Sequence, residues 1–214
     1  MYINTFSNYI SEMAYPANFD FTILKSLKSF KSKLEYVKSI LPKIGQGSSR
    51  EIYKVDDEKV LKVAKNKKGI LQNESEGDWY KQYYSIVAKV FDSDDDNYFI
   101  EMELAKKVTD KRFEELVGIS LTDLKYFLNK MILLDNGKIK ESSLNADIIY
   151  TKVKQNEFAT DLHELLNSTD CLETYLIPDY TIKTAYGEVV GNNEPKIVLV
   201  DFGYNKSSYK LYKK

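Results

Sequence analysis

Close to the C-terminal end, Ile197-Val198-Leu199-Val200 runs straight into Asp201-Phe202-Gly203. An apolar strand that delivers a carboxylate into a glycine turn suits a metal ligand in a phosphoryl-transfer site, where the cation sits against the phosphates of a nucleotide. Many strands end in Asp-x-Gly turns, so the tripeptide gains weight only from partners upstream. Asp179 follows Pro178, and Thr184 lies between it and Asp201. A base that orients a hydroxyl, an oxygen donor and a metal-binding aspartate, in that order, form a workable set for moving a phosphoryl group. Taken alone, Asp179 reads as a turn former.

A cation is expected to complete such a site, and Lys62 is the candidate. It sits in Lys59-Val60-Leu61-Lys62-Val63-Ala64, where period two puts Val60, Lys62 and Ala64 on one strand face. An ammonium on an otherwise apolar face needs a partner, because burying it unpaired is expensive. The competing reading is an edge-strand lysine in solvent. The partner is sought on the next helix. Glu76 shares a helical face with Asn73 and Tyr80, whereas Glu74 shares one with Leu71 and Asp78, and Glu76 is the preferred choice.

One hairpin earlier lies Gly45-Gln46-Gly47-Ser48-Ser49-Arg50-Glu51-Ile52-Tyr53. Glycines between two strands let the backbone approach phosphates closely. An ordinary hairpin turn is the competing reading. No helix follows, so neither a dinucleotide fingerprint nor a P-loop fits. Met102-Glu103-Leu104-Ala105 ends a strand where backbone groups can meet an adenine edge, although the residue types themselves are unspecific.

Composition narrows the alternatives. With 214 residues the chain can bury a substantial core, and 29% charged against 43% apolar residues reads as a globular, soluble protein. A net charge of −1 gives no prior for nucleic acid or an anionic membrane. Cys171 is the lone cysteine, so no internal disulfide can form and a reducing cytoplasm is expected. His163 is the lone histidine, which excludes a multi-histidine metal site. No apolar run approaches the roughly 20 residues that span a bilayer. The acidic run Asp92 to Asp96 lacks the central glycine and terminal glutamate of a calcium loop.

The elements that must carry these residues follow from periodicity. Residues 1–17 read as a loosely packed extension. One amphipathic helix is expected from Asp20, its N-cap, with Leu24, Leu27, Phe30, Leu34 and Val37 inward and Lys25, Lys28, Lys31 and Lys33 on a solvated face. Strands are expected at 40–45, 50–55 and 59–65, a helix at 70–84, and strands at 86–91 and 97–104. Helices at 110–117, 121–133 and 156–167 come next, then a hairpin of strands 186–190 and 196–200 turning at Gly191-Asn192-Asn193. A β-rich half followed by a helix-rich half with a late hairpin is α+β in two lobes. The boundaries read as an extension over 1–39, a sheet-and-helix lobe over 40–105, and a mostly helical lobe over 106–214 that contains a catalytic and metal segment at 177–203.

Together these residues resemble the protein-kinase-like fold, and the chain is similar to the short serine/threonine protein kinases of bacteriophages and mobile elements. The likeness is carried by the Gly45–Tyr53 turn, by Val60–Asn66 with Gln72, Asn73 and Glu76, by Ile100–Ala105, and by Asp179, Tyr186-Gly187 and Ile197–Gly203. It covers about 40–106 and 177–210. The resemblance implies ATP and Mg²⁺ as cofactors. Gly45, Gln46, Gly47, Ser48 and Ile52 would surround the nucleotide, with Gly45, Gly47 and Ser48 over its phosphates. Lys62, paired with Glu76, would contact the α- and β-phosphates, and Glu103 to Ala105 would meet the adenine. Asp179 would orient the acceptor hydroxyl, and Asp201 with Thr184 would hold the metal.

The chain departs from the family pattern in several places. Arg50 replaces the third loop glycine, and Ile177-Pro178-Asp179 replaces a His-Arg-Asp triplet. Thr184 stands where an asparagine is usual, and Thr181 where a lysine is common. The eleven residues after Gly203 are too few for an activation segment and its following helices. The expected activity is a minimal ATP- and Mg²⁺-dependent kinase acting on an unidentified protein in a bacterial cytoplasm. A partner-binding pseudokinase, a small-molecule phosphotransferase and an AMP transferase are the alternatives.

Overall fold

A computed structural model describes residues 15–169, 171–173, 176–191 and 194–203. Residues 1–14 of the expected extension, the turn residues Asn192 and Asn193, and everything after Gly203 lie outside the described residues. The chain divides into two compact units: residues 1–77 with 90–104, and residues 78–89 with 105–214.

The first unit begins with two helices, α1 (Phe21–Ser26) and α2 (Phe30–Ile40), where the sequence suggests one. Asp20 caps α1, accepting from the Thr22 amide at 2.6 Å. The break has a local cause. Ser29 forms a reciprocal capping box with Ser32, and a serine that satisfies free amides in this way favours a new helix start over a helix interior. The break reverses the reading of Lys33. Its side chain is buried, not solvated. Its Nζ donates to the carbonyls of Leu24 at 2.8 Å and Lys25 at 3.3 Å, capping the open end of α1, and lies over the Tyr98 ring. Burial pulls the Lys33 ammonium below its ordinary value, against the raising effect of Asp94 and Asp96.

Strands β1 (Lys43–Gln46), β2 (Arg50–Lys54) and β3 (Lys59–Ala64) follow, then helix α3 (Lys67–Tyr83), β4 (Val90–Ser93) and β5 (Phe99–Glu103). They form a five-stranded antiparallel sheet in the order β1-β2-β3-β5-β4. Strand β3 is central and buried from Val60 to Ala64, which explains why apolar residues occupy both of its faces. Leu61 and Val63 face a core of Leu24, Val37, Leu41, Tyr53 and Phe99, so α1 and α2 cover that side of the sheet. Lys62 belongs to the opposite face. Helix α3 approaches the sheet through Gly69, where a Cβ would lie 2.4 Å from the Ser49 carbonyl oxygen and 2.9 Å from Ala64.

The second unit contains β6 (Lys106–Lys107), α4 (Asp110–Val117), α5 (Leu121–Asp135), α6 (Ile148–Lys154), α7 (Glu157–Ser168), the short α8 (Ile177–Tyr180), β7 (Tyr186–Gly191) and β8 (Glu194–Leu199). Helix α6 is absent from the sequence-based reading. Its Ile148-Ile149-Tyr150-Thr151 start is strand-like in composition, and only Tyr150 and Val153 turn inward. Strand β6 is likewise unexpected, since a lysine pair reads as loop; it forms because β7 offers it a pairing edge. The β6-β7-β8 sheet is antiparallel, and Gly187 lets β7 approach Ala105, with a Cβ there falling 2.4 Å from the Ala105 Cβ. Residues Ile86 to Ala88 flank β8, exchanging backbone hydrogen bonds with Leu199 at 2.8 and 2.9 Å. The architecture is α+β, as the order of elements implied. No helix among the described residues is long and apolar enough to cross a membrane.

Candidate functional site

In the first unit a row of cross-strand neighbours brings several candidate residues together. Gly45 pairs with Ile52, Ile52 with Lys62, and Lys62 with Ile100. Gly47 and Ser48 sit exposed at the tip of the β1–β2 turn, beside exposed Gln46. The turn is closed by the Gly47 amide donating to the Arg50 carbonyl at 2.9 Å. It is held from behind by Lys65 Nζ on the Gly47 carbonyl at 3.0 Å and Asn66 Nδ2 on the Ser48 carbonyl at 3.3 Å. A Cβ on Gly47 would meet nothing within 4 Å, and one on Gly45 would make only ordinary contact with Ile52. Neither glycine lies at positive φ. The fold itself therefore requires glycine at neither position.

Lys62 and Glu76 meet as the strand and helix periods suggested. Lys62 Nζ donates to both Glu76 carboxylate oxygens, at 2.9 and 3.1 Å. Glu76 is fully buried, whereas Glu74 is exposed on the outer side of α3. Sequence reasoning missed the third member. Arg50 turns inward and grips Glu76 with both terminal nitrogens, at 2.7 and 2.9 Å, while Nη1 also donates to Asn73 Oδ1 at 3.2 Å. Asn73 is held in turn by donating Nδ2 to the Asn97 carbonyl at 2.8 Å. Burial alone would push the Glu76 carboxyl up, but Arg50 and Lys62 overcome it and hold the group down at about 2. The signal in the sequence was the arginine where the loop's third glycine was expected. In the structure that arginine is an added charge partner of Glu76.

Glu103 ends β5 paired with Lys59, and the Leu104 amide donates to the Glu58 carbonyl at 2.7 Å. Ala105, grouped with the second unit, packs against Gly187.

In the second unit, α8 and the β7–β8 hairpin position the carboxylates. Pro178 stands at the start of α8, where its missing N–H costs nothing. Tyr180 is fully buried, and its carbonyl accepts from the Tyr186 hydroxyl, tying α8 to β7. Asp179, between these anchors, points to the surface. Its carboxyl is pushed up, first by partial desolvation and then by the charge of Asp201. The two aspartates are thus electrostatic neighbours, although they lie 22 positions apart in sequence. Beyond the β7–β8 ladder the Val200 amide donates to the Ala185 carbonyl at 2.7 Å, which joins the short 3-10 turn of Lys183–Ala185, with Thr184 in it, to the strand end that leads into Asp201. Asp201 and Thr184 are both exposed. Phe202 is buried and stacks on Trp79 at 6.3 Å between ring centroids, which anchors the turn.

A buried strand lysine joined to a glutamate on the following helix, one hairpin after a glycine turn, is the ion pair that phosphoryl-transfer proteins of the kinase type must assemble. With the strand order and the late Asp-Phe-Gly hairpin, it agrees with the protein-kinase-like fold that the sequence resembles. Neither protein-family models nor curated proteins match the chain. Among solved structures it is similar to SAICAR synthase from Saccharomyces cerevisiae, at 14% identity and a TM-score of 0.37, over 75% of this chain and 72% of that one. It is similar also to APH(2")-IIa in a streptomycin–ATP complex, at 15% identity and a TM-score of 0.33, covering 88% and 72%. Aminoglycoside phosphotransferase APH(2'')-Ib bound to ADP stands at 15% and 0.32, covering 81% and 69%.

Proposed function

We propose that this protein is an ATP-dependent phosphotransferase that works with Mg²⁺ and takes a serine or threonine hydroxyl of a protein as acceptor. The observation that carries the reading is the buried Lys62–Glu76 pair, in register with Ile52 and Gly45. A lysine oriented by a carboxylate in a desolvated setting is suited to binding phosphate oxygens, and the Gly45–Ser48 turn is suited to covering them. Gln46, Ile52, Glu103 and Ala105 complete the proposed nucleotide contacts.

Asp179, its proton affinity raised by burial and by the neighbouring Asp201 charge, stands beside a second carboxylate, and such a pair suits a divalent cation. Asp201, with the Thr184 hydroxyl, would hold Mg²⁺. When bound, that ion neutralises phosphate charge. Asp179 orients the acceptor hydroxyl, and its raised proton affinity favours taking the hydroxyl proton. The proposed setting is a bacterial cytoplasm, following the resemblance to phage-encoded kinases.

The test is a thermal shift with ATP, with and without Mg²⁺, since a ligand that binds only the folded state raises its apparent stability. The wild type is expected to shift in an Mg²⁺-dependent way and Asp201→Ala to lose that dependence. Labelled phosphate should reach the protein or a host extract with the wild type alone. A second reading, a partner-binding module without transfer activity, is favoured by Arg50 and Thr184 standing where a glycine and an asparagine are usual. An absent shift at any ATP concentration would select it.

A further inference from the structure

The resemblance calls for two groups at the Glu76 site, and the structure contains three. The carboxylate accepts at least four charge-assisted hydrogen bonds, two from Arg50 and two from Lys62. All three side chains are buried. Two cations therefore share one anion out of reach of bulk water. Their geometries differ. Arg50 meets Glu76 as a planar fork, the more directional of the two contacts, and is braced by Asn73. Lys62 meets it as a point charge on a flexible stem.

We infer that Arg50 is a positioning residue that holds Glu76 permanently, so that Lys62 is free to exchange carboxylate for phosphate when a nucleotide binds. The inference rests on the nucleotide-binding reading above. Its physical basis is the cost of an unpaired buried charge. With Lys62 as the sole cation, moving the ammonium toward phosphate would strip Glu76 of its counter-ion, and that penalty would oppose binding. With Arg50 in place the carboxylate keeps a bidentate partner throughout. Arg50 also begins β2 directly after the glycine turn, and its grip on α3 joins the turn to the helix. The turn is tied at the same end by the Lys65 amide donating to the Ser49 carbonyl at 2.8 Å. Through these contacts turn, strand and helix form one braced element.

A double-mutant cycle on Mg·ATP affinity tests this, read by calorimetric titration of the full chain with folding checked by circular dichroism. Arg50→Gln is expected to weaken Mg·ATP binding by about tenfold, and Arg50→Lys to recover part of the loss. In a Glu76→Gln background, where no buried carboxylate needs holding, Arg50→Gln should change the affinity by less than about twofold. An equal loss in both backgrounds would mean that Arg50 acts directly on the nucleotide or through general stability, and would overturn the inference. So would an Arg50→Gln protein that binds Mg·ATP like the wild type. Failure of the wild type to bind Mg·ATP would remove the nucleotide-binding reading itself and this inference with it. Binding in the wild type with an additive cycle removes the inference alone.

Discussion

The two carboxylate centres of this molecule are built on opposite electrostatic plans. In the first unit Glu76 is fully buried, faces two cations and is held ionised far below the ordinary glutamate range. In the second, Asp179 and Asp201 are exposed, carry like charge, and Asp179 is pushed above its ordinary value. The first centre is assembled by the polypeptide, because a buried carboxylate cannot wait in water for a partner. The second stays near solvent, where two negative charges can coexist. One centre is a buried structural anchor, and the other is exposed to solvent.

Removing the charge at the buried centre should produce the largest effect. Glu76→Ala leaves Arg50 and Lys62 buried without their shared anion and is expected to cost about 3–5 kcal/mol in urea unfolding at neutral pH. Acid should reach the same end from the other side. The folded value of about 2 lies below the ordinary 4.5, so the contribution is complete above pH 4.5 and is lost as pH falls toward 2. A stability profile that stays flat from pH 5 to pH 2 would contradict a permanently ionised Glu76.

A smaller effect is expected where the first unit's brace depends on backbone approach. Gly69→Ala places a methyl group against the Ser49 carbonyl and the Ala64 backbone, so α3 must move away from the sheet. The expected loss is about 1–3 kcal/mol, visible as a lowered melting temperature. Since α3 carries Glu76, the same variant should loosen the Arg50 contact. An unchanged melting temperature would show that the helix seats elsewhere.

The exposed centre should be the least sensitive. Asp201→Asn is expected to change unfolding stability by no more than about 0.5 kcal/mol, because a surface substitution removes little packing. It should also lower the Asp179 titration midpoint, since a neighbouring negative charge is gone, as carboxyl-carbon NMR would record. A midpoint that does not move would mean the two aspartates are too far apart to share a cation, and would weaken the metal assignment.

Much of this was legible in the sequence for a definite reason. Period-two burial put Lys62 on the inner face of β3, and the helical period put Glu76 rather than Glu74 toward it. The final strand led Asp201 into its turn. These are consequences of local geometry, and local geometry repeats along a chain. The proposed roles of Gly45 to Ser48, Asp179 and Thr184 came from order and resemblance, which depend on motif spacing rather than on contacts.

Other features were decided only by long-range contact. A serine-rich stretch hid the restart of helix at Ser29, and with it the buried role of Lys33, because capping competes with helix continuation and only packing settles the outcome. Strand β6 exists because β7 lies beside it. The chain by itself fixed which residue types stand at each strand and helix face. That Arg50 turns in to meet Glu76, across 26 positions of sequence, was decided by the tertiary structure. A charged side chain at a strand start can be solvated at little cost, and only a buried carboxylate within reach makes the inward turn favourable.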